Sequence, residues 1–263
     1  MITSLNNRTV KEIVALSQKS KERQKKDVFV VEGIKMFMEA PGERICEVYI
    51  ARSAEQEVLG VCKEKLDGLS YELVSDEVFA KMSDTVTPQG ILCLVRQFHY
   101  DLTFAPKENV KKQPLYIILE DVQDPGNLGT IFRTAEAVGI SAVIMSSRTV
   151  DIYNPKTIRS TMGAVYRVPF LYVEDVSSII KVLQQNGVSV YAAHLAGKAY
   201  YETYDYRKGT AFLVGNEGKG LREETASCAD ALVKIPMEGC VESLNVAVAS
   251  SVLLYEAYRQ RRV

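Results

Sequence analysis

Histidine is scarce in this chain. Its 263 residues include only His99 and His194. With only two imidazoles available, a His-based metal cluster is not expected. Cysteine is also sparse: the five thiols are scattered and contain no C-x-x-C pair. That excludes a zinc ribbon and a disulfide framework, and it fits reduced thiols in a cytoplasmic protein with no metal site. No apolar run is long enough to span a bilayer, so no membrane segment is expected. The opening MITSLNNRTVKEIVAL lacks the apolar core of a secretion signal, so no targeting segment is expected there. Three common fingerprints are missing as well. Gly218-Lys219-Gly220 begins like G-x-G-x-x-G, but Leu221-Arg222-Glu223 does not complete it. The same stretch fails the P-loop on spacing and on the final hydroxyl, and no G-x-S-x-G nucleophile elbow occurs. The usual dinucleotide, P-loop and hydrolase readings therefore lack their defining residues.

What is present is an ordinary globular composition, 47% hydrophobic and 25% charged, with a net charge of −1. The charge is unevenly spread. Residues 1–26 carry seven basic side chains (Arg8, Lys11, Lys19, Lys21, Arg23, Lys25 and Lys26) against Glu12 and Glu22. This excess reads either as a solvated helix face or as a phosphate-binding arm.

Along the chain, short apolar runs alternate with helical patterns in two halves. Strands are expected at 28–33, 46–51, 71–75 and 91–96, with helices near 33–40, 54–66 and 76–82. The segment YDLTFAPKENVKKQP (100–114) is polar, holds two prolines and suits a linker. Strands resume at 115–120, 142–146, 188–194, 210–215 and 229–236, separated by helical patterns at 127–138, 155–162, 175–186, 221–227 and 243–260. This alternation predicts an α/β architecture with a mostly parallel sheet covered on both faces. In such a sheet ligands sit at the carboxyl ends of the strands. Three polar, glycine-bearing loops fall there: DVQDPGNLG after LYIILE, NEGKGL after TAFLVG, and MEGCVESLN after LVKIP.

Together NLGTIFRTA (127–135), FLVGNEGKGL (212–221) and IPMEGCVESLNVAVA (235–249) resemble the three motifs of the SpoU/TrmH family in the SPOUT superfamily. VVEGIKMFMEA (30–40) and TPQGILCLV (87–95) are similar to the L30e-like substrate-binding domain often fused to it. The resemblance implies an N-terminal RNA-binding domain over 1–105, a linker over 106–114, and a SPOUT domain over 115–263 whose end is threaded as a trefoil knot. It also implies an S-adenosyl-L-methionine-dependent RNA ribose 2′-O-methyltransferase acting on rRNA, working as a homodimer. A tRNA 2′-O-methyltransferase, a base methyltransferase and a noncatalytic RNA-binding scaffold are the alternatives.

The resemblance assigns roles by position. Arg133 is placed at the catalytic centre, as a base or as a stabiliser of developing negative charge. A guanidinium pKa above about 12 favours the second. Asn127 either caps the first-motif helix or faces substrate. Glu217 orients Arg133 or the substrate, or anchors a tight loop. Ser243 and Asn245 position the arginine and the target ribose. The cofactor is expected near Gly215, Ile235 and Leu244, with Leu195 and Met237 as apolar neighbours. Small residues Ala247, Ala249, Ser250 and Ser251 let the last helix pack closely. Its Leu254, Tyr255 and Tyr258 provide apolar surface for a partner copy. Behind an RNA-modifying domain, the basic arm of Lys19, Lys21, Arg23, Lys25 and Lys26 reads as RNA-binding.

Overall fold

The computed structural model describes residues 1–101 and 113–262. Of the linker expected over 106–114, only residues 113 and 114 fall within that range. The chain forms two compact units, Met1–Phe98 with Asp151–Tyr166, and His99–Val150 with Arg167–Val263.

The first unit opens with two helices that were not among those expected from the pattern, α1 (Arg8–Gln18) and α2 (Ser20–Lys26). Asn7 caps α1 by accepting the Thr9 N–H, and α1 buries Val10, Ile13 and Leu16 at helical spacing. There follow β1 (Val28–Glu32), α3 (Ile34–Glu39), β2 (Ile45–Ala51), α4 (Glu55–Val61), α5 (Lys63–Leu66), β3 (Glu72–Val74), α6 (Asp76–Met82) and β4 (Ile91–Arg96). The four strands form one sheet in the order β1-β4-β2-β3. β4 runs antiparallel to both β1 and β2, whereas β3 runs parallel to β2. The apolar faces of α1 and α6 (Val78, Phe79, Met82) close over Val30, Tyr49, Leu92 and Leu94. Each large side chain buried this way contributes about 1.5–3 kcal/mol.

The second unit holds β5 (Leu115–Leu119), α7 (Pro125–Val138) and β6 (Ala142–Ser146). The chain then enters the first unit through Asp151–Tyr166, where α8 (Pro155–Thr161) packs on β1. There Tyr153 stacks on Phe29 with ring centroids 4.6 Å apart, and its hydroxyl accepts the Phe98 N–H at 2.6 Å. Back in the second unit come β7 (Phe170–Val173), α9 (Val176–Gln185), β8 (Ser189–Ala193), β9 (Ala199–Tyr200), β10 (Thr210–Val214), α10 (Glu223–Ala226), β11 (Ala231–Lys234) and α11 (Val246–Arg261). Seven strands in the order β7-β6-β5-β10-β8-β11-β9 make one sheet, and every ladder in it is parallel. β5, β6 and β10 are buried along their whole length, as strands covered on both faces must be. β7 and β9 escaped the sequence pattern because both lie at edges. β7 has one buried residue in four and β9 has two residues in all.

α7 and α11 pack against each other beside β10. Their contact includes the hydroxyls of Thr134 and Ser251, 2.9 Å apart, and Ser250 is fully buried with its hydroxyl on the Val246 carbonyl. Larger side chains at these positions would force the helices apart. Leu254, expected at the surface, lies in the core, while Tyr255 on the same helix is exposed. No helix among the described residues is long and apolar enough to cross a membrane.

Candidate functional site

Three loops leave the carboxyl ends of β5, β10 and β11. The first turns into α7 through Asp121, whose backbone sits in the left-handed region at φ 58°. Asp124 caps α7 by accepting the Asn127 N–H at 2.8 Å, and Pro125 occupies its first turn. The capping role considered for Asn127 therefore belongs to Asp124. Asn127 sits one turn in, and its side chain is free for other bonds.

The second loop is a tight turn in which Asn216 and Gly220 exchange backbone hydrogen bonds, at 3.1 and 2.9 Å. Gly215 is required by that return: a Cβ there would lie 2.3 Å from the Gly220 carbonyl carbon. Gly220 adopts φ 68°, a conformation glycine takes at little cost. The Asn216 side chain accepts the N–H groups of Gly218 and Lys219 and donates to the Asp121 carbonyl at 2.8 Å, tying the second loop to the first.

The third loop ends at Asn245, which caps α11 by accepting the N–H groups of Ala247 (2.9 Å) and Val248 (3.3 Å). Because its oxygen is used by the cap, its amide nitrogen faces outward and donates to Asn127 Oδ1 at 3.0 Å. Asn127 Nδ2 in turn donates to Glu217 Oε1 at 3.1 Å. Asn245, Asn127 and Glu217, one from each loop, thus form a single hydrogen-bonded chain. Each amide keeps a second N–H to offer a ligand.

Glu217 also accepts the backbone N–H groups of Asp124 (3.0 Å) and Gln123 (3.2 Å). Partial burial pushes its carboxyl up. The bonds from Asn127, Asp124 and Gln123 outweigh that and hold it below the usual glutamate range. It is therefore an ionised anchor and a weak base at neutral pH.

Behind this chain lies a cavity of about 340 Å³, within the range of small-molecule sites. All five residues expected at the cofactor, Leu195, Gly215, Ile235, Met237 and Leu244, line it, and so do Ser243 and Glu217. Arg133 is exposed on α7, outside that lining, and has no hydrogen bond or ion pair among the described residues. Glu217 and Ser243 make no bond to it; Glu217 anchors the loops instead. No cluster of metal-ligating side chains occurs among the described residues.

In the first unit the basic arm divides. Lys19, Lys21 and Lys25 are exposed. Lys26 is paired with Glu12. Arg23 is buried, 3% exposed, and so is not an RNA contact. Its Nε and Nη2 donate to Asp151 Oδ2 at 3.0 and 2.5 Å, and its Nη1 donates to the Leu16 and Ser17 carbonyls at 2.6 and 3.2 Å.

Sequence reasoning passed over Glu120 and Arg222. Glu120 directly follows β5, is 1% exposed, and accepts Arg222 Nε at 2.9 Å and Nη2 at 2.6 Å. The available signal was an acid at the end of the otherwise apolar LYIIL.

The chain is also similar to known proteins. Residues 114–255 match the SpoU rRNA Methylase family, and residues 7–93 match the MRM3-like substrate binding domain. The chain is 32% identical over 257 residues to the 23S rRNA (guanosine(2553)-2′-O)-methyltransferase RlmP of Bacillus subtilis, covering 97% of each chain. It is 31% identical over 240 residues to the 23S rRNA (guanosine-2′-O-)-methyltransferase RlmB of Escherichia coli K12, covering 89% of this chain and 98% of that one. Among solved structures it is similar to an AdoMet-bound rRNA methyltransferase from Sinorhizobium meliloti, at 33% identity and a TM-score of 0.82, covering 98% of this chain and 97% of that one.

Proposed function

The chain belongs to the SpoU rRNA methylase family, and from that premise we propose that it transfers a methyl group from S-adenosylmethionine to a ribose 2′-oxygen of ribosomal RNA. The observation that carries this reading is a single hydrogen-bonded chain that joins three loops far apart in sequence, beside a cavity that the second and third of them line.

The residues present fit the cofactor. The cavity combines apolar walls (Leu195, Ile235, Met237, Leu244) with the close-turning backbone at Gly215–Gly220, which admits no Cβ at its first position. When bound, S-adenosylmethionine supplies an electrophilic methyl carbon on a sulfonium. The protein's part is to place the ribose hydroxyl and to stabilise charge as its proton leaves. Asn127 and Asn245, their oxygens engaged, present N–H groups to an anionic or hydroxyl oxygen. Ser243 adds a hydroxyl at the cavity rim. Arg133, exposed and unpaired among the described residues, meets the 2′-oxygen or the neighbouring phosphate as a fixed positive charge.

The substrate-binding unit offers Lys19, Lys21 and Lys25 to the RNA backbone, which makes binding salt-dependent. The protein works in the cytoplasm as a homodimer, using exposed apolar surface on α11 such as Val248 and Tyr255. The threaded knot expected at the end of the SPOUT domain belongs to the same reading. Transfer of labelled methyl to total RNA, with mapping of the modified position, tests the function. Modification at a 2′-oxygen of 23S rRNA is the expected result, and label on a base or on tRNA would overturn it. Light scattering on the purified protein tests the dimer, and a monomeric mass would remove it.

A further inference from the structure

β5 carries no charge, yet the residue that follows it, Glu120, is a carboxylate buried to 1% exposure at the carboxyl end of that strand. An unpaired charge in that place would be untenable. Its bonds account for it. Oε1 accepts Arg222 Nε (2.9 Å), Arg222 Nη2 (2.6 Å) and the Thr225 hydroxyl (2.6 Å), and Oε2 accepts the Arg222 backbone N–H (2.8 Å). Every one of these donors comes from residues 222–225, directly after the turn that carries Glu217.

The turn is therefore held at both ends. At its start the Glu120 N–H donates to the Val214 carbonyl at 2.9 Å, and at its end the Arg222 fork grips the Glu120 carboxylate. Between them Asn216 reaches the Asp121 carbonyl. Glu217 can meet the N–H groups of Gln123 and Asp124 and the amide of Asn127 only while this span keeps its shape. Neither Glu120 nor Arg222 lines the cavity or touches the Asn245–Asn127–Glu217 chain. We infer that Glu120 and Arg222 are a positioning pair for methyl transfer, setting the 215–221 turn so that Glu217 and the cavity wall are in register. This rests on reading the site as a methyltransferase. A pair serving stability alone would be replaceable by uncharged residues of similar volume without loss of function. A positioning pair would not.

The test uses the full chain. The double variant Glu120→Gln/Arg222→Met removes both charges together and leaves neither buried alone. S-adenosylmethionine affinity is measured by calorimetry, and kcat and KM by labelled transfer to unmodified ribosomal RNA. The expected result is a melting temperature near wild type, an affinity and a kcat each lowered about tenfold, and an unchanged KM for RNA. Arg222→Lys, which keeps the charge but not the fork, falls in between. The further readout is coupling: Glu217→Gln lowers kcat about tenfold in wild type and less than about twofold in the double variant. Wild-type values in the double variant, or effects that simply multiply, overturn the inference. If the double variant does not fold, Arg222→Lys with and without Glu217→Gln is read on the same measures. Wild-type protein that neither binds nor transfers defeats the methyltransferase reading itself, an outcome distinct from variants that match an active wild type.

Discussion

Arginine has opposite fates in the two units. In the first unit Arg23 is enclosed, its guanidinium shared between Asp151 and two backbone carbonyls. In the methyltransferase unit Arg133 is exposed and unpaired among the described residues. From the sequence, Arg23 was expected in the RNA-binding arm and Arg133 at the catalytic centre. The fold consumes one and leaves the other. A cation available to a ligand is one that the protein has not already neutralised, and a count of basic residues cannot register this. Arg222 is a third case. It is 43% exposed, yet fixed to the buried carboxylate of Glu120, so the dependent partner there is the acid.

The largest effect expected from this contrast is on Arg133. Arg133→Ala lowers the single-turnover methyl-transfer rate by about 10³-fold while S-adenosylmethionine affinity and melting temperature stay at wild type. Retained turnover would erase the distinction between the two arginines. Arg23→Ala acts in the other direction. It destabilises the protein by about 3 kcal/mol, the low end for a broken buried pair because Asp151 still reaches solvent, and this is read by urea unfolding. The salt dependence of RNA binding does not move, since Arg23 reaches no phosphate.

Glu217→Gln sharpens the comparison through pH. The folded-state pKa of Glu217 lies below its unfolded value, so its stabilising contribution is full above the ordinary glutamate pKa of about 4.3 and is lost as pH falls through the lowered value. Melting temperatures from neutral to acid pH should show a shallower acid decline in the variant, and parallel curves would contradict the anchor role. The smallest effects concern single lysines. Lys21→Glu and Lys25→Glu each flatten the logarithmic salt slope of RNA binding by about 0.7–0.9, and Lys26→Glu does so less because Glu12 already holds that ammonium. Equal slopes for all three would return the arm to an ordinary solvated helix face.

Much of the fold was legible from periodicity. β5 and β10 read as buried runs, and α7, α9 and α11 as helices, because burial on both faces imposes an apolar run and burial on one face imposes a repeat. The three loops were legible as glycine-bearing polar stretches at strand ends, and the second and third of them hold residues that line the cavity. Legibility failed where neighbours in space are strangers in sequence. The Asp124 cap displaced Asn127 from the helix start, edge strands gave too few buried residues to register, and Leu254 turned inward on a helix of mixed faces.

Taken alone, the residues specify local matters: which runs become strand or helix, where turns demand glycine, and which three loops carry polar groups at the sheet's carboxyl edge. Tertiary structure decides who meets whom. Asn245 finds Asn127 across 118 positions, Glu217 finds Asn127 across 90, and Arg23 is spent on Asp151 across 128. The reason is physical. Backbone preference and hydrophobic repeat act over one or two turns of chain, whereas a hydrogen bond or ion pair depends only on distance and desolvation in the folded molecule.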